Sequence, residues 1–425
     1  MAKNPHIPRY IDRWLDQYVP RLKAIVIEGP KGVGKTQSAK LHANTVFELD
    51  KERVRETLDA DYNVLWEDEH PILLDEWQRL PETWDTVRRM VDEGIDEGAF
   101  ILTGSKQSTN PLIHSGAGRI VPVRMRPLSL AERFALPQMV ELSDCLSGRI
   151  GTRIRIDSPI TFPQYIHEIV RTGLPEIYHS DDDIRAALLL SYIKNITDRE
   201  FRLQGILVRQ PEVLRNWMRS YAAAVGTTAS YNKILDAATG GQDQKPARQT
   251  TESYRAALES LWLIDDLPYW SEGEDFFGRL KQAPKHYLAD PGLEAYLLDL
   301  EEQDLTRGTK ETGYDIQYGS ITGRLFESLC AMSLRTYAEL CGARVSYLRS
   351  HDGAREIDFI VQKGQSLLAI ECKIGSTVSD SDVRHLNWFE EKVGDRVKEK
   401  IVLTTGERAY RRKDRVLVIP AALFG

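Results

Sequence analysis

Cysteine is scarce in these 425 residues. There are four, Cys145, Cys330, Cys341 and Cys372, and none stands at a metal-binding or disulfide-framework spacing. This argues against a disulfide-stapled scaffold and makes a reducing cytoplasm the expectation. Long apolar runs are lacking as well. No stretch of about eighteen apolar residues occurs, and Met1-Ala-Lys-Asn-Pro is polar and proline-broken, so neither a membrane span nor a signal peptide is expected. There is no excess of positive charge: 56 Lys and Arg stand against 63 Asp and Glu, a net charge of −7. Contact with nucleic acid would therefore have to come from local basic patches. Internal repeats and low-complexity tracts are absent. What remains is a globular balance, 42% hydrophobic and 28% charged. A chain of this length is expected to form roughly two to four domains.

The most informative stretch is Gly29-Pro30-Lys31-Gly32-Val33-Gly34-Lys35-Thr36, which fits G-x-x-x-x-G-K-[ST] at every fixed position. Ala24-Ile-Val-Ile27 before it reads as a buried strand, and Gln37 to Asn44 can continue as a helix. Glycines let backbone N–H groups close around phosphate oxygens, and the helix start adds partial positive charge. Lys35 would reach the β- and γ-phosphates of ATP, and the Thr36 hydroxyl would hold Mg²⁺.

Around this loop, short apolar strands alternate with helical segments. Strands are expected at Thr45–Leu49, Pro71–Asp75, Ala99–Ser105 and residues 120–125, with a helix near Pro81–Glu93. Such alternation implies a mostly parallel α/β sheet, whose ligands collect at the carboxyl ends of its strands. Thr36, Asp75, Glu76 and Thr103 all fall there. Asp75 suits the metal shell and Glu76 the polarisation of an attacking water. Thr103 or Ser105 would sense the γ-phosphate. Arg119, just before a strand, could reach a neighbouring subunit's nucleotide as a finger. Residues 1–23 read as an amphipathic helix ending at Pro20. From about Thr161 the pattern is helical, and the order Ser230–Ala238, Gly-rich turn, Thr250–Trp262 resembles a winged helix.

These motifs resemble the AAA-type ATPase fold. More closely, Gly29–Thr36, Ile72–Glu76, Ile101–Ser105, Gly118-Arg119, Pro127–Glu132, Thr172–Glu176 and Lys285–Leu293 resemble prokaryotic ATP-binding proteins that join such a domain to a C-terminal domain of unknown function. The resemblance spans nearly the full chain. It departs at Thr172, where that family usually has a second glycine.

The last region, from about 318, is again α/β. Glu327 on a helix, Asp358 on one strand and Glu371 and Lys373 on the next form a second constellation. Residues two apart on a strand share a face, so Glu371 and Lys373 project together and Cys372 points away. Clustered carboxylates suit Mg²⁺ or Mn²⁺, and a lysine beside them could orient the attacking water. The pattern is similar to the PD-(D/E)xK nuclease fold, which implies action on DNA. Arg396–Arg415 carries eight Lys/Arg against three Asp/Glu and could track a phosphate backbone.

The expected layout is a P-loop domain at 1–155, a helical linker at 156–210, a winged-helix-like domain at 211–300 and a nuclease-like domain at 318–425. The expected function is Mg²⁺-dependent ATP hydrolysis coupled to a DNA-acting C-terminal domain. The alternative is a nucleotide-dependent switch whose nuclease-like domain binds DNA or protein without cleaving. A homo-oligomeric motor follows only if Arg119 acts in trans.

Overall fold

The computed structural model describes residues 7–425 apart from 107–115, 137–138, 204, 207, 209, 239–247, 272–282, 308–315 and 351–352. The expected break at Thr239–Pro246 lies outside these residues. The chain forms two compact units. The first is Met1–Pro127 with Leu258–Leu263, and the second is Leu128–Ala257 with Ile264–Gly425.

In the first unit, five parallel strands run β1 (Ala24–Glu28), β2 (Thr45–Glu48), β3 (Ile72–Asp75), β4 (Phe100–Gly104) and β5 (Ile120–Arg124). Their order across the sheet is β2-β3-β4-β1-β5. The apolar residues of β1, β3 and β4 are buried almost without interruption, the signature of a parallel sheet covered on both faces. Because β1 lies between β4 and β5, the loop that leaves it emerges near the sheet's middle. Helix α1 spans Tyr10–Tyr18, shorter than expected. It buries Ile11 and Leu15 and ends in a 3₁₀ turn at Val19–Arg21.

The second unit holds a mixed seven-stranded sheet: β6 (Arg155–Asp157), β7 (Arg344–Arg349), β8 (Glu356–Lys363), β9 (Ser366–Lys373), β10 (Val397–Thr404), β11 (Arg408–Arg411) and β12 (Leu417–Pro420). Its order is β6-β11-β12-β10-β9-β8-β7. The first boundary falls at Pro127 rather than near 155, because residues 128–157 pack with the C-terminal chain. β6 pairs antiparallel with β11, Val140 bridges Phe424, and Leu130 N donates to Ser333 Oγ at 3.1 Å. Neither β6 nor β11 was expected, since three or four charged and mixed residues carry no periodic signal. At the other edge, the segment around Tyr269 lies along β7: Trp270 N donates to Tyr347 O at 2.6 Å and Tyr347 N to Pro268 O at 3.0 Å.

The long helix α2 (Ile316–Cys341) and helix α3 (Asp380–Val393) pack against this sheet. The expected strand at Lys285–Asp290 is not a ladder strand. It makes single antiparallel bridges, Leu267 with Lys285 and Ile264 with Leu288, because its side chains are committed elsewhere. Thr172, fully buried, has φ +66°, and its Cα lies 2.5 Å from where a Cβ on Gly292 would begin. That backbone explains why glycine would suit position 172.

A buried guanidinium fastens the segment after Pro127. Arg133 Nε donates to Leu128 O at 2.7 Å and Nη1 to Glu168 O at 2.5 Å, while Nη2 stands 3.5 Å from Asp290 Oδ2. Asp290 Oδ2 also accepts Gly173 N at 2.6 Å.

Candidate functional sites

The nucleotide site is built at the carboxyl ends of β1, β3 and β4. The loop after β1 runs so close to the chain after β5 that a Cβ on Gly29 would stand 2.1 Å from Met125 O, a backbone collision that only glycine avoids. Gly34 is left-handed, with φ +99°, and the helix Lys35–Leu41 starts directly after it. Lys35 is buried, its Nζ 2.9 Å from Gly29 O and 2.8 Å from Pro30 O. It therefore lies folded back over its own loop. Burial pushes its ammonium down to about 8, against the pull of Glu76 and Asp75.

A phosphate would raise that value again, which fixes the sign of a pH effect. Below about pH 8 Lys35 is charged before and after binding, and affinity is at its full level. Above it, binding must take up a proton, so ATP affinity falls as pH rises. Calorimetry at pH 8.5 in buffers of different ionisation enthalpy should show that uptake. No uptake in wild type, or the same uptake in Lys35→Ala, would contradict this assignment.

Asp75 Oδ1 is the hub. It accepts Thr36 Oγ1 at 2.7 Å and Thr103 Oγ1 at 2.6 Å. Hard oxygens from Thr36 and Asp75 thus converge where Mg²⁺ would sit beside a bound triphosphate, so the donor chemistry fits that ion. Thr103 Oγ1 in turn accepts Glu76 N at 3.0 Å. Its proton is committed to Asp75, so sensing a γ-phosphate would require this bond to break first. Glu76 is left-handed, φ +58° and ψ +47°. Its Oε2 accepts Gln78 Nε2 at 2.6 Å and Ser105 Oγ at 3.1 Å.

Two contributors escaped the sequence reading. Gln78 stands only two residues after Glu76 and could have been suspected as its positioner. Arg9 could not, since nothing local marks it. Its buried guanidinium donates to Val33 O at 2.5 Å and Arg126 O at 2.7 Å, bracing the phosphate loop from the N-terminal segment.

Arg119 lies apart from this cluster. β5 pairs with β1 in the register Ala24↔Ile120 through Glu28↔Arg124, so Arg119 is at the amino end of the sheet, opposite its own phosphate loop. There Arg119 Nε pairs with Asp92 Oδ1 at 2.8 Å on the surface.

The second constellation does assemble, within the second unit. α2 supplies Glu327, and the adjacent strands β8 and β9 supply Asp358, Glu371 and Lys373. The unforeseen member is Lys285. Its Nζ stands 2.6 Å from Glu327 Oε1, 3.1 Å from Glu356 Oε1 and 3.3 Å from Asp358 Oδ1. The Lys285 side chain is only 2% exposed. Tyr287 donates to Glu327, Cys372 N donates to Asp358 Oδ2 at 2.9 Å, and Lys373 Nζ lies 3.1 Å from Glu371 Oε2. Burial, then the neighbouring Asp358, pushes the Glu327 carboxyl up to about 7.

The expected Mg²⁺ or Mn²⁺ set of Glu327, Asp358 and Glu371 does not fit a metal as it stands. Glu327 and Asp358 converge on the Lys285 ammonium and Glu371 pairs with Lys373 instead, and among the described residues no group of three or more His, Cys, Asp or Glu could hold a metal ion. The basic stretch Arg396–Arg415 also differs from expectation. Arg408 pairs with Asp157, Arg411 with Glu399, Arg412 with Asp414, and Lys400 with Glu390, so much of its charge is neutralised within the fold. No helix among the described residues is long and apolar enough to cross a membrane.

Comparison with known proteins matches three stretches of the chain. Residues 163–304 match a domain of unknown function, DUF8612, and residues 322–424 another, DUF4143. Uncharacterised proteins of Mycobacterium tuberculosis and Mycobacterium bovis are each 24% identical over 413 residues, 94% of this chain and 80% of theirs. A Walker-type ATPase of Pyrococcus abyssi is similar at 14% identity and a TM-score of 0.36, over 69% of this chain and 96% of that one. Residues 21–134 match the AAA domain family. The phosphate loop and its acidic partner strand lie inside that span, and the N-terminal part of this chain is accordingly an AAA-type, ATPase-like domain.

Proposed function

We propose that this chain is an ATP-hydrolysing switch whose nuclease-like C-terminal α/β domain engages DNA. The carrying observation is the Asp75 hub. One carboxylate oxygen receives the hydroxyls of Thr36 and Thr103, and Thr103 holds the backbone of Glu76. Thr36 and Asp75 would hold Mg²⁺, Lys35 would neutralise phosphate charge, and Glu76 would take the proton of the attacking water. Occupying the metal position disturbs a hydrogen-bonded chain that ends at the base. Nucleotide state thereby becomes a change of conformation. Arg119 joins this chemistry only from a neighbouring copy, which makes ATP-dependent self-association part of the reading. The helices Tyr231–Ala238 and Arg248–Ser260 are read as the pair of a winged helix and would serve packing more than groove reading. A reducing cytoplasm suits the four free cysteines.

The test pairs two assays. Wild type should hydrolyse ATP with Mg²⁺ and change its affinity for fluorescent duplex or single-stranded DNA between ADP and a non-hydrolysable ATP analogue. Lys35→Ala should lose both responses. Failure to turn over ATP removes the ATPase part, and nucleotide-independent DNA affinity removes the coupling. A second reading, metal-dependent DNA cleavage, would use Glu327, Asp358, Glu371 and Lys373 only after the Lys285 ammonium leaves the carboxylates it now contacts. It requires cleavage that disappears in Lys373→Ala.

A further inference from the structure

We propose that Lys285 is the resident cation of the C-terminal site, its ammonium standing where Glu327, Glu356 and Asp358 would otherwise gather a divalent metal. The three carboxylates contact Nζ at 2.6, 3.1 and 3.3 Å. Each also has a second neighbour, which for Glu327 falls on the same Oε1 that meets the ammonium. Glu327 receives Tyr287, Asp358 Oδ2 receives Cys372 N, and the Arg349 guanidinium lies 3.9 Å from Glu356 Oε2. Glu371, the fourth carboxylate of the expected set, is paired with Lys373. A divalent ion needs several free oxygens converging within about 2.6 Å, and here the ammonium occupies the point on which Glu327, Glu356 and Asp358 converge.

The ammonium is not a casual visitor. Lys285 exchanges backbone hydrogen bonds with Leu267, N to O at 2.9 Å and O from N at 2.8 Å, and His286 N donates to Thr227 O at 2.9 Å. The stem is therefore fixed at its root and buried along its length. Three acids share this one base, and their mutual repulsion is offset only while the lysine stays. A carboxylate group buried without its cation is strongly unfavourable.

The chemical consequence is specific. A bound metal lowers the pKa of its water and supplies a nucleophile; an ammonium already holding three carboxylates does neither. The site keeps the nuclease-like layout while lacking its electrophile. Lys373, whose side chain is 36% exposed, is the more solvent-accessible of the two lysines. It suits contact with a phosphate, not hydrolysis. This inference deepens the switch reading and rests on the nuclease-like reading of the C-terminal domain.

The experiment uses the full chain without nucleotide, carrying Thr36→Ala and Asp75→Asn to silence the metal position of the ATPase site. Free Mn²⁺ is followed by electron paramagnetic resonance. This background should bind no stoichiometric Mn²⁺. Adding Lys285→Met should create one site at least about tenfold tighter than any in the background, abolished by further Asp358→Asn. Should Lys285→Met fold poorly, the Lys285→Met/Glu327→Gln pair removes opposite charges together and should still gain Mn²⁺ through Glu356, Asp358 and Glu371, with thermal unfolding raised by the ion. Stoichiometric Mn²⁺ binding in the background, lost with Asp358→Asn, overturns the proposal and leaves the nuclease-like reading standing. Folded variants that never gain Mn²⁺ overturn both.

Discussion

Glu76→Gln should bind ATP within about twofold of wild type and hydrolyse it about 10²- to 10⁴-fold more slowly, the range attached to a positioned general base. The substitution is nearly isosteric. A glutamine carbonyl can still accept Gln78 Nε2 and Ser105 Oγ, the backbone N–H still reaches Thr103, and the left-handed turn is unchanged. Only the charge that would take a proton from water is lost. Asp75→Asn should behave differently. It weakens the metal position shared with Thr36, so Mg²⁺-dependent affinity and turnover fall together. Arg119→Ala offers the contrast of distance. It should leave nucleotide affinity intact and slow turnover only at protein concentrations where light scattering shows assembly. Single-turnover hydrolysis with pre-bound ATP separates these cases, and wild-type turnover by Glu76→Gln would mean that the base lies elsewhere.

The second large effect lies far from the nucleotide. Arg133→Met should cost about 3–5 kcal/mol, the usual consequence of leaving buried acids without their base. The Arg133 side chain is 0% exposed, and Asp290 beside it likewise. Methionine fills comparable volume yet offers no donor to Leu128 O, Glu168 O or the two carboxylates. Lysine would restore charge without the planar fork that serves several acceptors at once, and should recover less than half of the loss. Adding Asp290→Asn to Arg133→Met should return part of the deficit, because the uncompensated charge leaves with it. Denaturant unfolding of the full chain, followed by a probe in the second unit, reads the difference. A loss below about 1 kcal/mol would show that water reaches and screens this cluster.

Much of the ATPase site was legible because its signal is local. Gly29–Thr36 announces itself by spacing, and Asp75-Glu76 stands at the end of a run of buried aliphatics. The parallel strands β1 to β5 were recoverable for the same reason: each is a short apolar run between breaks. Lys285, Arg9 and Arg133 were not legible in these roles. Each acts through one long side chain reaching partners dozens of residues away, and a single lysine or arginine carries no periodicity. The strand expected at Lys285–Asp290 shows how the signal misleads. Apolar residues there are buried as predicted, yet the segment is held by isolated bridges, with Lys285 and Tyr287 both committed to Glu327 and Asp290 to the backbone of Gly173 and Gly292. The +5 charge of Arg396–Arg415 misleads in the opposite direction. A net count stops at the ends of the segment, while the fold sets Asp157, Asp380 and Glu390 against it from outside.

Both margins of the seven-stranded sheet are poor templates for another chain. On one side β7 is shadowed by Pro268–Trp270, whose backbone already satisfies Tyr347. On the other, β6 is three residues long and bears Arg155 and Asp157, with Asp157 tied to Arg408. A short charged strand at one edge and a bridged strand at the other both discourage a partner's extended peptide from lengthening the sheet. Recognition through side chains on its faces and loops would place selectivity in residues that can vary while the sheet beneath them stays the same.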